Sequence, residues 1–125
     1  MQFHRHRRLR RNQAIRSMVK ENHVRVEDFI YPIFVVEGEN IKNEISSMPG
    51  VYHFSLDRLN EEMEELVSLG IVSIMIFGVP HEKDECGSSA DDEHGIVQKA
   101  IRQVKENFPA LYVMADTCLC QYTSH

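Results

Sequence analysis

A chain of 125 residues with 42% apolar and 26% charged residues is expected to form one soluble globular domain with a modest core. No apolar run nears the length that crosses a bilayer, and the Arg-rich start has no apolar h-region behind it. Membrane spans and secretory signals are therefore not expected, and the cytoplasm is the expected location. The net charge of −5 hides an asymmetry: residues 1–25 carry eight Lys/Arg against Glu21 alone, and the remainder carries six basic and eighteen acidic side chains.

The chain divides into a basic arm, residues 1–28, and an α/β body, residues 29–125. The arm holds "HRHRRLRR" but only Phe3 as an aromatic, so it lacks the stacking side chains of a nucleic-acid platform. Docking on the acidic surface of a sister subunit, or plain solvation, is the preferred reading over nucleic acid. Within it, "RRNQAIRSMVKEN" reads as a short helix with Ile15, Met18 and Val19 on one side.

"DFIYPIFVVEG" is a strand of aromatic and β-branched residues closed by Gly38, with Pro32 as a local objection. "NIKNEISSMPGVYHF" reads as loop, with Pro49-Gly50 as a turn. Ser55 is expected to cap the helix "LDRLNEEMEELVSLG". Its apolar stripe is Leu56, Leu59, Met63, Leu66 and Val67; Glu61, Glu62, Glu64 and Glu65 form the wet face, and Gly70 ends it. "IVSIMIFGV" has the continuous apolar pattern of a strand covered on both faces. After the polar loop "PHEKDECGSSADDEHG", the helix "IVQKAIRQVKENFP" turns Ile96, Val97, Ala100, Ile101, Val104 and Phe108 inward. "ALYVMADTCLC" is the third strand. Three strands alternating with two helices imply parallel pairing through right-handed crossovers. The pattern suits a small open sheet or part of an eight-stranded barrel, which needs about 250 residues when complete.

The chemistry gathers on the third strand. If that strand runs to residue 120, Asp116, Cys118 and Cys120 share one face. Parallel α/β folds bind substrates at the C-terminal ends of their strands. Three cysteines in all, Cys86, Cys118 and Cys120, make an odd count that suits a reduced compartment better than a disulfide framework. Two thiolates favour zinc among common divalent ions, but a catalytic zinc takes three protein ligands. His125 could complete the set, or the third ligand could lie beyond the residues given. The plain alternative is two small buried hydrophobes at a strand end.

The stretch "DTCLCQYTSH" resembles the zinc-cysteine segment of the porphobilinogen synthase (delta-aminolevulinic acid dehydratase) family. The blocks "RHRRLRRNQAIRSMVKEN", "FIYPIFVVEGENIKNEISSMPGVY", "LGIVSIMIFGVPHEKDECGS", "GIVQKAIRQVKENFP" and "LYVMADTCLCQYTSH" resemble its N-terminal half in order and spacing. The resemblance implies an α/β fold, the N-terminal portion of a TIM (β/α)8 barrel preceded by an extended or helical arm that wraps a neighbouring subunit, commonly in a homo-octamer. It implies condensation of two 5-aminolevulinate molecules to porphobilinogen, a pyrrole used in haem and tetrapyrrole biosynthesis.

By the same resemblance Cys118 and Cys120 match two of three zinc-binding cysteines, and Asp116 matches an active-site aspartate that assists proton transfer or orients the substrate amine. The family's two Schiff-base lysines lie beyond the matched region, so Lys20, Lys42, Lys83, Lys99 and Lys105 receive no role. Residues 1–125 alone are expected to be inactive and, with an open sheet edge and an unfilled barrel interior, unstable. Cys86 receives no role. Glu82, Asp84 and Glu85 could serve a regulatory magnesium of the kind some bacterial members bind; solvated loop charge is the preferred reading. The other histidines are assigned nothing. Two rivals remain: a small non-enzymatic zinc-binding module built on Cys118, Cys120 and His125, and a nucleic-acid binder working through the arm.

Overall fold

The computed structural model describes residues 6–125; the first five residues of the basic arm, Phe3 and Arg5 among them, lie outside the described residues. In chain order the elements are α1 (Gln13–Met18), β1 (Ile30–Val36), β2 (Lys42–Glu44), β3 (Tyr52–Phe54), α2 (Leu56–Ser68), β4 (Ser73–Val79), α3 (Ile96–Asn107) and β5 (Tyr112–Ala115). They form one sheet in the order β2-β3-β1-β4-β5. Strands β3, β1, β4 and β5 run parallel, and β2 is antiparallel to β3. Among the described residues no helix is long and apolar enough to cross a membrane.

The long apolar runs become β1, β4 and β5 as their composition demands. Pro32 fits because β3 reaches only Phe34 and Val35, leaving Pro32 where β1 is an edge on that side. Alternation then sorts the side chains. Ile33 and Val35 of β1, with Ile74 and Ile76 of β4, point to the face covered by α2 and α3. There they meet Leu59, Met63 and Leu66 of α2 and Ile96, Val97, Ala100 and Val104 of α3. Each fully buried Ile or Leu contributes about 1.5–3 kcal/mol, so this layer carries the stability. Helix α2 stops in a Schellman turn: Gly70, at φ +82°, donates to the Val67 carbonyl and Ile71 to that of Leu66, both at 3.0 Å.

Among the described residues no helix covers the opposite face. Phe34 stacks on Phe77 with ring centroids 5.2 Å apart, and His53 meets Phe34 edge-on at 6.1 Å. Pro32, Met75 and Met114 share that face by register.

Three expectations about these elements need correction. The segment 40–54 is not all loop: β2 and β3 form a hairpin, closed by Ile45 donating to Val51 at 2.8 Å, so the body holds five strands rather than three. The strand "KNE" is polar and wholly exposed, so it carries no alternation to read. Ser55 occupies the N-cap position of α2 without capping it. Its hydroxyl instead accepts the Ile41 N–H at 2.8 Å, tying the hairpin down, and Asp57 accepts the Asn40 N–H at 2.8 Å. The arm forms the expected short helix, α1, capped by Asn12, and Met18 on it is 85% exposed.

The third correction is Glu62, which is buried rather than wet. It lies on the turn between Leu59 and Leu66, at the margin of the inward stripe. Its carboxylate accepts the Tyr31 hydroxyl at 2.8 Å and pairs with Lys42 at 3.5 Å, and Lys42 lies over the Tyr52 and Phe54 rings. Burial, then the hydrogen bond to Glu62 and its charge, push the Tyr31 phenol well above the ordinary tyrosine range. A raised folded-state value means that Tyr31 contributes stability in full below about pH 10 and loses it as pH climbs further. Tyr31→Phe is expected to cost about 1 kcal/mol at neutral pH and to remove the last-titrating phenolate signal in an ultraviolet titration. An unchanged titration curve would contradict the contact.

Candidate active site at the ends of the parallel strands

The C-terminal ends of β1, β4 and β5 open at one edge of the sheet, where the loop 80–95 and the segment 116–125 meet. Strand β5 ends at Ala115, but the Asp116 N–H still donates to the Ile76 carbonyl at 3.2 Å. This last ladder bond sets Asp116 on the same face as Met114, beyond the Phe34–Phe77 stack. Its carboxylate is half-buried and accepts the Gln121 side-chain amide at 2.6 Å.

Beyond Asp116 the chain leaves the sheet, which overturns the expected single strand face for Asp116, Cys118 and Cys120. Residues 117–121 form an arch closed by a 3-10 turn at Leu119–Gln121, with the Tyr122 and Thr123 amides donating to the Leu119 carbonyl at 2.9 and 3.0 Å. The cause is an anchor further along. Tyr122 is buried, and its hydroxyl reaches in beside Gly78 of β4. A Cβ at Gly78 would collide with Val97 and stand 3.2 Å from the Tyr122 hydroxyl, so only glycine leaves room. Burial, then the charge of Asp116, push the Tyr122 phenol up.

The arch nevertheless brings the two thiols together. Cys118 and Cys120 are both exposed. The neighbouring Cys118 thiol first, then burial and the charges of Cys118 and Asp116, push the Cys120 thiol up. A bound divalent cation reverses this logic, because it deprotonates a coordinating thiol outright. By donor chemistry two neighbouring thiols suit zinc, one ligand short of a catalytic set. His125 does not supply the third: no group of three or more His, Cys, Asp or Glu side chains is gathered among the described residues. The self-contained zinc module on Cys118, Cys120 and His125 is thereby without support.

The loop after β4 borders the arch. Glu82, Asp84 and Asp92 line a cavity of about 390 Å³ together with Lys83, Ser88 and Ser89. Asp84 commits one carboxylate oxygen to the Cys86 and Ser88 amides, each at 3.0 Å. The Ser88 hydroxyl, ahead of these amides, holds the Asp84 carboxyl below the usual range. Cys86 is exposed. Gln121, Tyr122 and Gly78 are the residues that sequence reasoning missed. A glycine inside an apolar strand signals close approach of another chain segment, and that signal stood at Gly78.

A family model described as delta-aminolevulinic acid dehydratase matches residues 3–125. Among curated relatives, the delta-aminolevulinic acid dehydratase of Halalkalibacterium halodurans is 62% identical over 98% of this chain, and that of Bacillus subtilis is 59% identical over 98%. The chain spans 38% of the length of each. A crystal structure of delta-aminolevulinic acid dehydratase (porphobilinogen synthase) from Toxoplasma gondii, in complex with its reaction product porphobilinogen, superposes with a TM-score of 0.90 at 35% identity. That match covers 98% of this chain and 35% of the other. With fold, order of elements and sequence in agreement over nearly every residue, the chain belongs to the delta-aminolevulinic acid dehydratase family.

Proposed function

We propose that residues 1–125 form the N-terminal part of an enzyme that condenses two 5-aminolevulinate molecules into porphobilinogen. The observation that carries this reading is the placement of Asp116 and the neighbouring thiols of Cys118 and Cys120 at the C-terminal edge of a parallel sheet, in a chain 62% identical to a dehydratase. The helix-free face with Phe34, Phe77 and Met75 becomes the interior of a TIM (β/α)8 barrel once further strands close it. The arm, basic and apolar at once, reaches a neighbouring subunit of a homo-oligomer, with an octamer as the expected assembly.

In this mechanism Asp116 does the chain's own chemistry. Facing the interior from a strand end, its carboxylate can hold a substrate ammonium or take a proton from a carbon or nitrogen beside it. Gln121 fixes one of its oxygens through the 2.6 Å amide contact and leaves the other to the substrate. Cys118 and Cys120 would hold the zinc, which supplies Lewis acidity beside the second substrate. The lysines that form imines with the substrate ketones are placed outside residues 1–125, and none of the five lysines here is given that role.

The gene product expressed from its uninterrupted coding sequence is expected to bind zinc stoichiometrically, and Cys118→Ser with Cys120→Ser to abolish that binding while far-ultraviolet dichroism is retained. Zinc content unchanged in the double variant would sink the ligand assignment.

A further inference from the structure

The thiol-bearing arch is held from both sides by contacts that do not involve the thiols. On one side Asp116 is fixed by the ladder bond to Ile76. On the other, the strip Tyr122–Ser124 pairs with a single residue of the loop after β4. The Asp84 N–H donates to the Tyr122 carbonyl at 3.3 Å, and the Asp84 carbonyl accepts the Ser124 N–H at 2.9 Å, a parallel bridge centred on Thr123. The side chain of the same residue organises the loop from which it reaches, by accepting the Cys86 and Ser88 amides. Gly87 follows in a left-handed conformation, at φ +65°, and a Cβ there would touch Thr123 at 3.4 Å and Tyr122 at 3.6 Å. The loop therefore lies packed along the strip. Its own fold depends on one carboxylate, and the five residues 117–121 between the two clamps have little freedom left.

We propose that Asp84 is a positioning residue for the metal-binding thiols: by gripping Tyr122–Ser124 it holds the arch that carries Cys118 and Cys120 in the shape that receives zinc. The inference rests on the zinc reading above and deepens it. Asp84 ligates nothing in this scheme. It lowers the ordering that zinc binding would otherwise require, as outer contacts do for metal ligands generally.

The test uses the gene product from the uninterrupted coding sequence. Asp84→Ala is expected to weaken zinc binding by about 10- to 100-fold, read by competition with a chromophoric chelator. It is also expected to speed iodoacetamide alkylation of Cys118 and Cys120 in the zinc-stripped protein, read peptide by peptide so that Cys86 is scored apart. Asp84→Asn retains an acceptor for the Cys86 and Ser88 amides and is expected to stay near the parent in both readouts. Ser124→Pro removes the N–H that the Asp84 carbonyl accepts and fixes φ at that residue; it is expected to move both readouts the same way, and it decides the matter if Asp84→Ala does not fold. Unchanged affinity and alkylation in folded Asp84→Ala, or in Ser124→Pro alone, would overturn the proposal. So would an equal loss in Asn and Ala, which would make charge rather than the grip the cause. Should the parent itself bind no zinc, the zinc reading fails, and the alkylation comparison still decides whether Asp84 holds the arch.

Discussion

Asp116→Asn in the gene product from the uninterrupted coding sequence is expected to lower kcat by about 10²- to 10⁴-fold, the usual worth of a positioned acid or base. The substitution keeps shape and removes charge and basicity. Gln121 can still donate to the remaining amide oxygen, so the strand end and the arch keep their geometry. Zinc content is therefore expected to hold while turnover collapses. The measurement is porphobilinogen formation beside zinc stoichiometry for parent and variant. A variant with parental kcat would remove Asp116 from the chemistry.

Gly78→Ala is expected to be the most damaging change to the fold around the site, at about 1–3 kcal/mol for forcing a methyl into a packed core. The added Cβ would collide with Val97 and press on Ile96 and on the Tyr122 hydroxyl, at 3.3 and 3.2 Å. Either α3 shifts or Tyr122 leaves its slot, and the second outcome releases the arch. The urea midpoint is expected to fall, and zinc affinity with it, although Gly78 touches no ligand. Val97→Ala makes room on one side, so the double variant is expected to be less damaged than the two single effects summed. Strict additivity would show that the two sites are uncoupled and the collision is not the cause.

The sequence made the long elements legible because their side chains repeat. Ile33, Val35, Ile74 and Ile76 alternate, and Ile96, Val97, Ala100 and Val104 recur at helical spacing, as burial of those residues shows. The hairpin β2–β3 was illegible for the opposite reason. Three exposed polar residues, Lys42–Glu44, pair through backbone alone, and nothing in their side chains records it. Glu62 was misread because composition assigns glutamate to solvent, whereas its partner Tyr31 stands thirty-one residues away. The site divides the same way. The type of chemistry, a carboxylate and two thiols, could be read from Asp116, Cys118 and Cys120. Their geometry could not, because the chain leaves the strand under the pull of Tyr122 and Asp84, contacts set by tertiary packing rather than by local spacing.

The most direct measurement is turnover: the gene product from the uninterrupted coding sequence, supplied with 5-aminolevulinate, assayed for porphobilinogen before and after a zinc chelator. Porphobilinogen formation that chelation abolishes and zinc restores is the expected result. A folded, zinc-supplied protein that forms no porphobilinogen would contradict it.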